Sequence, residues 1–142
     1  MSRRRPILLL LLAALALGAT AAVAVAASKN GITPKAPKAG ATVPAGKSPT
    51  FKMAVRGKGS VWVHVCKSKK RNAKGVICHD ESIGRAKKRG GTFQYKPKFY
   101  DYPAFWLNSP GTYYWQAHRI RCENGNTRDC LQEGPVVKIR VG

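Results

Sequence analysis

The chain has 142 residues, enough for one domain but not for several. It carries 26 basic and six acidic residues, a formal net charge of +20, which favours anionic partners and also keeps a small domain soluble. There is no GxSxG nucleophile motif, no phosphate-cradling glycine loop and no obvious pair of acids, so the sequence gives little support for catalysis.

The N-terminal residues 1–27 have the pattern of a signal peptide. A basic run at residues 3–5 precedes an apolar core rich in Leu and Ala, and residues 24–26 are small, as a signal peptidase requires. Removal of this leader would leave a net charge of about +17. The alternative is an uncleaved membrane anchor, because residues 7–27 are long enough to span a bilayer. We expect a secreted protein that is extracellular or associated with the cell envelope.

The remaining chain predicts an all-β fold. Residues 28–40 predict a flexible linker rich in Pro and Lys, and residues 41–142 predict one domain. Short runs of alternating apolar and polar residues, separated by turn residues, predict a single antiparallel β-sandwich of about seven strands. The runs identified as strands are residues 41–43, 50–56, 61–66, 92–96, 113–121 and 136–141.

Four cysteines in an exported chain predict two disulfides, for which three pairings exist. We favour the two local pairs, Cys66–Cys78 and Cys122–Cys130. Residues 124–125 would then form the tip of a hairpin that the second disulfide closes at its base.

Two stretches resemble secreted bacterial fibronectin type III-like or immunoglobulin-like domains. They are PKAGATV at residues 37–43 and PGTYYWQA at residues 110–117. The resemblance spans residues 37–142 and implies that the second stretch opens strand F, where an aromatic residue forms a tyrosine corner. Tyr113 fits this role, and Tyr114 is the alternative. Such modules bind, space or decorate, so the resemblance implies a fold rather than an activity.

The same resemblance bears on the disulfides. It implies that the strands at residues 61–65 and 113–121 are antiparallel neighbours, so Cys66 and Cys122 lie at opposite ends of the sheet. Because a disulfide requires Cα atoms within about 7 Å, local pairing follows from this topology.

Alternation along the predicted strands defines an outer sheet face. If Val61, Val63 and Val65 point inward, the outer set forms an aromatic and cationic platform for a sugar or an aromatic anionic ligand. Alternatively, a loop such as residues 98–109 covers this face, or a shift of one residue in register makes its aromatics part of the core. The platform residues are Trp62, His64, Tyr114, Gln116, His118, Lys138 and Arg140.

Two basic runs flank the first predicted disulfide. Clusters of this kind are suited to phosphate contact, although they also form solvated faces that protect an edge strand. The predicted anion-binding residues are Lys67, Lys69, Lys70, Arg71, Lys74, Arg85, Lys87, Lys88 and Arg89.

The sequence therefore predicts a secreted, non-catalytic module, monomeric and without a cofactor, that associates with an anionic polymer such as a wall polymer, a polysaccharide or a nucleic acid. The alternative is a structural module whose outer face meets an envelope protein. A small basic nuclease using His64 and His118, the two histidines expected to approach each other, has less support. A zinc site at Cys78 and His79 is disfavoured because exported thiols oxidise, so no metal is expected.

Overall fold

A computed structural model describes residues 28–73, 75–77, 83–98, 107–122 and 130–142, with only the backbone of Ile83. Within these ranges the chain is all β, as the alternating pattern predicts, and there is no helix that could cross a membrane. The eight strands are β1 (Ile32–Ala36), β2 (Thr42–Val43), β3 (Phe51–Val55), β4 (Ser60–Cys66), β5 (Ile83–Arg89), β6 (Thr92–Tyr95), β7 (Gly111–Ile120) and β8 (Leu131–Val141).

The strands form one curled sheet in the order β1-β3-β6-β5-β4-β7-β8-β2. Strand β5 joins its two halves, because it pairs with β4 through its first residues and with β6 through its last. The curl brings β1, at one edge, into contact with β7 and β8 near the other. The sheet is mixed, since β2 and β8 run parallel, and in this it departs from the purely antiparallel arrangement predicted.

The core fills the inside of the curl with the apolar positions of the alternating strands. Phe51 lies at its centre, with its ring centroid 5.3 Å from that of Trp115 and 6.3 Å from that of Tyr95. The inward positions expected on β4, β7 and β8 are all buried: Val61, Val63, Val65, Tyr113, Trp115, Ala117, Val137, Ile139 and Val141.

Tyr113 is fixed to the chain that precedes its own strand. Its hydroxyl donates a hydrogen bond to the carbonyl oxygen of Ser109 at 2.8 Å, and its side chain is buried. Tyr114 is half-buried on the opposite face of β7. Of the two candidates for a tyrosine corner, Tyr113 therefore has the hydrogen bond that such a corner requires.

Strand β1 lies inside the segment expected to be a flexible linker, and that expectation is wrong for residues 32–36. Ile32 is fully buried, and β1 pairs with β3 along its length. The segment is also tied to β8 by an ion pair between Lys29 and Glu133, 2.7 Å apart. The proline and lysine residues of this segment indicated a linker, but both residue types are also typical of an edge strand. Strand β1 is such an edge strand.

Strand β5 was expected only as a basic stretch. Its alternation is carried by small residues, because Gly84 and Ala86 are buried while Arg85 and Lys87 are exposed. A glycine is required at position 84, since the ring of Tyr95 occupies the space that a Cβ atom would take. Because glycine and alanine carry little hydrophobic signal, the alternating pattern of the sequence does not identify this strand.

Cys122 and Cys130, one of the predicted pairs, are joined by a disulfide with Cα atoms 5.3 Å apart. The other predicted pair includes Cys78, which lies outside the described residues. The predicted hairpin tip at residues 124–125 also lies outside them.

Replacing Gly84 by Ala should destabilise the fold by about 1–3 kcal/mol, because the added methyl group overlaps the Tyr95 ring in a packed core. Urea unfolding would measure the loss. Gly91→Ala is the matched control, since nothing lies within 4 Å of a Cβ atom at that position. Equal stability of the two variants would contradict the packing of Tyr95 on β5.

Candidate functional site

A basic groove of about 790 Å³ runs along β5 and the end of β6. Its lining contains five cationic side chains and no acidic one among the described residues. We call it the basic groove and define it by Trp62, Arg85, Lys87, Arg89, Gln94, Lys96 and Lys98.

The period of two along a strand places these side chains on one side of the sheet. On β5, Arg85, Lys87 and Arg89 alternate with the buried Gly84 and Ala86, which face the core. The same period continues from Gln94 on β6 into Lys96 and Lys98, and Gln94 lies opposite Lys87 in the ladder. The cations of β5 and those that follow β6 therefore line one groove.

Trp62 is the aromatic residue of the basic groove. It is half-buried on β4, directly opposite Arg85 in the β4–β5 ladder. Its indole N–H is buried and has no hydrogen-bond partner among the described residues. The accessible part of the ring gives the groove an aromatic surface for stacking.

Of the second basic run, Lys88 does not line the groove. Lys88 lies on the other face of β5, opposite Phe93, because successive strand residues point to opposite faces. Lys74 lies outside the described residues.

The rest of the first basic run lies in the segment that follows β4. Lys67, Lys69, Lys70 and Arg71 are exposed, and Lys67 Nζ lies 5.7 Å from the centroid of the Tyr113 ring. Further along this segment, the carbonyl oxygen of Gly75 accepts a hydrogen bond from the amide of Gln116 on β7. In the sheet, β4 separates β7 from β5. The first basic run therefore precedes a segment that packs on β7, whereas the second lies on β5.

The predicted outer platform is largely closed. His64, Gln116 and His118 lie on the expected face of β4 and β7, but they are only 3%, 0% and 2% exposed. Trp62 and Tyr114 are half-buried, and Lys138 and Arg140 are exposed on β8, where Lys138 lies opposite Tyr114. The predicted platform is therefore not open across this face, because a loop covers its centre.

The covering loop comprises the described residues 71–73 and 75–77, and Gln116 holds it in place. The backbone N–H of Ile77 donates to Gln116 Oε1 at 2.9 Å, and Gln116 Nε2 donates to the carbonyl oxygen of Gly134 at 2.8 Å. Val76 and Ile77 are buried in this position. A covering loop is one of the alternatives that the sequence leaves open, but the segment expected to form it is residues 98–109. The loop observed here follows β4, in a stretch expected to be an exposed connection, and that expectation is wrong for the buried Val76.

The two buried histidines form a hydrogen-bonded pair, as their approach across β4 and β7 predicts. His64 Nε2 lies 2.8 Å from His118 Nδ1, and the ring centroids are 4.6 Å apart. Burial, and to a smaller extent the charge of His118, lowers the pKa of His64 to about 3, and burial lowers the pKa of His118 to about 4. Both rings are therefore neutral at pH 7, with one facing nitrogen donating and the other accepting.

The described residues contain no group of three His, Cys, Asp or Glu side chains that could hold a metal ion. Cys78 and His79, considered above for zinc, lie outside them. The basic groove itself has amine, guanidinium, amide and indole donors, which suit an anionic ligand rather than a cation.

Sequence reasoning missed Lys96 and Lys98 as groove residues. The signal was present, because the alternation of residues 92–96 continues through Lys98, which puts Lys96 and Lys98 on the same polar side as Gln94. The sequence did not indicate that β5 and β6 are neighbours, and only their pairing brings these lysines beside Arg85 and Lys87.

Comparison with known proteins adds no identification. No protein-family model matches the chain, and neither curated proteins nor solved structures gave a significant match.

Because both histidines are neutral when folded, lowering the pH should destabilise the protein. Their pKa values rise toward 6.5 on unfolding, so the unfolded state binds more protons between about pH 6.5 and pH 4. The free energy of unfolding should be maximal above pH 6.5 and fall by up to about 1.4 kcal/mol per pH unit for each histidine as the pH drops through this window. Urea unfolding from pH 7.5 to pH 4.5 would measure the slope.

Carboxylates contribute to the same slope, so the ring signals provide the control. In NMR spectra of the folded protein at pH 5.5, the Cε1–H signals of His64 and His118 should remain at neutral positions, whereas in urea both should titrate near pH 6.5. A folded-state midpoint near 6.5 for either ring would contradict the buried pair.

Proposed function

We propose that the protein is a secreted, non-catalytic β-sandwich module of the fibronectin type III-like or immunoglobulin-like type, and that it binds an anionic envelope or extracellular polymer through the basic groove. The observation that carries the proposal is the convergence of five cations on Trp62, with no acid in the described lining. The sandwich, the compartment and the partner are argued in turn below.

The strand order supports the sandwich. If the curled sheet is divided at β5, strands β1-β3-β6-β5 correspond to ABED and strands β4-β7-β8 to CFG, the two sheets of a constant-type immunoglobulin domain. In this scheme β7 is strand F, and the hydrogen bond from Tyr113 to Ser109 is its tyrosine corner. The core tryptophan, Trp115, is on F rather than on C, so the proposed domain departs from the antibody pattern.

Secretion is supported by the leader pattern at residues 1–27 and by the Cys122–Cys130 disulfide. Disulfides persist in oxidising compartments and are rare in a reducing cytoplasm. An exported protein with this charge meets the anionic polymers of the envelope first, and counterion release from such polymers drives binding that weakens with salt.

The groove has the two elements that such a ligand needs. Exposed lysines and arginines on β5 and at residues 96 and 98, just after β6, can neutralise phosphate or sulfate groups along a chain, and the Trp62 ring can stack on a sugar or a base. By contrast, the described geometry gives the nuclease alternative less support, because His64 and His118 are buried beneath the loop of residues 71–77.

Changing Arg85, Lys87 and Arg89 together to Gln should lower the salt concentration at which the protein elutes from heparin resin. Each lost contact should reduce the slope of log affinity against log salt by about one. The matched control changes Lys35, Lys38 and Lys47 to Gln, which removes equal charge from exposed positions outside the groove. Equal elution of the two triple variants would mean that net charge alone, and not the groove, retains the protein.

A protein-interaction function remains the second candidate because Tyr114, Lys138 and Arg140 form a strip that the covering loop leaves accessible. Tyr114 lies opposite Lys138 in the β7–β8 ladder, and both are at least partly exposed. This strip is what remains of the platform predicted from the sequence.

Trp62→Ala and Tyr114→Ala separate the two candidates. The groove predicts that Trp62→Ala weakens binding of a labelled heparin fragment or oligonucleotide about fivefold or more, because stacking on an aromatic ring contributes about 1–3 kcal/mol, whereas Tyr114→Ala has no effect. Fluorescence anisotropy would measure both affinities, and thermal unfolding would show that each variant is folded. Loss on Tyr114→Ala alone would contradict the groove and place the polymer on the β7–β8 strip, whereas unchanged polymer binding in both variants would leave the strip as the candidate for a protein partner.

A further inference from the structure

A second basic pocket lies at the end of the sheet where β3 turns into β4 and where β7 ends. It has a volume of about 470 Å³, and four cations line it without a carboxylate among the described lining residues. We call it the arginine pocket and define it by Arg56, Gly57, Lys58, Arg119 and Arg121. It shares no lining residue with the basic groove, so the two sites can be tested separately.

Arg119 is the buried member of the arginine pocket. It is 6% exposed, its Nη2 atom donates a hydrogen bond to Gln132 Oε1, and its Nε–H is buried with no partner among the described residues. Gln132 is neutral, so this hydrogen bond positions the guanidinium without balancing its charge. A buried cation with an unused donor is costly unless an anion completes it.

The turn between β3 and β4 is shaped around this arginine. A Cβ atom at Gly57 would overlap Arg119 Nη1, and one at Gly59 would lie 3.0 Å from Arg119 Cγ and overlap the carbonyl oxygen of Ile120. Both glycines have φ in the left-handed region, at 89° and 131°, where other residues are strained. The turn therefore leaves space for the guanidinium and brings its own backbone close to it.

The neighbouring cations are also held by fixed backbone. The N–H of Arg56 donates to the carbonyl oxygen of Gly31 at 2.9 Å, and the N–H of Arg121 donates to that of Cys130 at 2.9 Å, beside the Cys122–Cys130 disulfide. Arg56 and Arg121 therefore begin from ordered positions. Burial, and then the charge of Arg121, lower the pKa of Arg119, which reflects desolvation and a neighbouring like charge.

We propose that the arginine pocket binds a single dianionic phosphate group, either free inorganic phosphate or the terminal monoester of a larger molecule. A guanidinium fork matches the oxygens of a tetrahedral oxyanion, and several cations around one point favour a dianion over a carboxylate or a phosphodiester, which carry one charge. This inference does not rest on the proposed polymer binding, because the basic groove presents exposed cations in a row and the arginine pocket presents one buried, fixed guanidinium.

The test is a titration of the 15N-labelled protein with inorganic phosphate at pH 7.5 in 0.15 M NaCl, followed through the Arg119 Nε–H signal by NMR. We expect a saturable shift at one equivalent site. Methyl phosphate should bind, and dimethyl phosphate and acetate should bind about tenfold more weakly or not at all. Methyl phosphate as tight as inorganic phosphate would identify a site for terminal phosphate groups, whereas binding of inorganic phosphate alone would identify a site for the free ion.

Variants then assign the site. Arg119→Lys, which keeps the charge but loses the planar fork, should weaken phosphate binding about tenfold, and Lys58→Gln and Arg121→Gln should each weaken it several-fold. Lys58 and Arg121 are exposed, so these two variants are expected to fold even if Arg119→Lys does not. Because Arg119→Lys lacks the Nε–H signal, line broadening of the 31P signal reports phosphate binding for all three variants.

Arg85→Gln and Lys87→Gln, in the basic groove, are the controls and should leave phosphate affinity unchanged. The proposal is overturned if no saturable shift occurs up to about 50 mM phosphate, a concentration well above the dissociation constant expected for a specific anion site. It is also overturned if the arginine-pocket variants lose no more affinity than the groove controls.

Discussion

Strand β7 is packed on both of its faces, and this double burial is the constraint on which the other elements depend. Its inner face contributes Trp115, which packs against Phe51 and donates its indole N–H to the carbonyl oxygen of Pro37 at 3.2 Å. Its outer face contributes Gln116, whose amide is completely buried. A buried amide must find partners, and those of Gln116 come from β8 and from the loop of residues 71–77.

Closing the outer face of β7 decides where the molecule can meet a ligand. The centre of the β4–β7–β8 face is covered, and the histidines beneath the loop are neutral and joined to each other. The cations are therefore concentrated on strands that keep one side open, chiefly β5, and at the end of the sheet beside the β3–β4 turn. Each of these places lacks acids among its described residues, so like charges repel there until an anion binds.

The two basic sites differ in how their charges are held, which suits them to different ligands. In the basic groove, exposed lysines and arginines follow adjacent strands and can adapt to a chain of charges beside the Trp62 ring. In the arginine pocket, Gln132 and a turn with two glycines hold one buried guanidinium. Mobile cations in a row favour a polymer, whereas a fixed fork favours one compact group.

The sequence by itself determined the all-β class and the inward sets on β4, β7 and β8, because large apolar residues at every second position report which face of a strand is buried. It also determined the approach of His64 to His118, because β4 and β7, the two strands that carry them, are both strongly patterned and were expected to pair. It could not reveal β1 or β5: their buried positions are held by a proline-containing edge and by small residues, which carry little hydrophobic signal.

Only the tertiary structure decided which polar residues are accessible. Alternation placed Gln116 and His118 on an outer face, but an outer face is exposed only if nothing packs on it, and here residues 71–77 do. In the same way, Arg119 lies 62 residues from Gly57 in the chain, and only the pairing of β7 with β4 brings its guanidinium to that turn. Burial and convergence depend on contacts between distant segments, which no local pattern encodes.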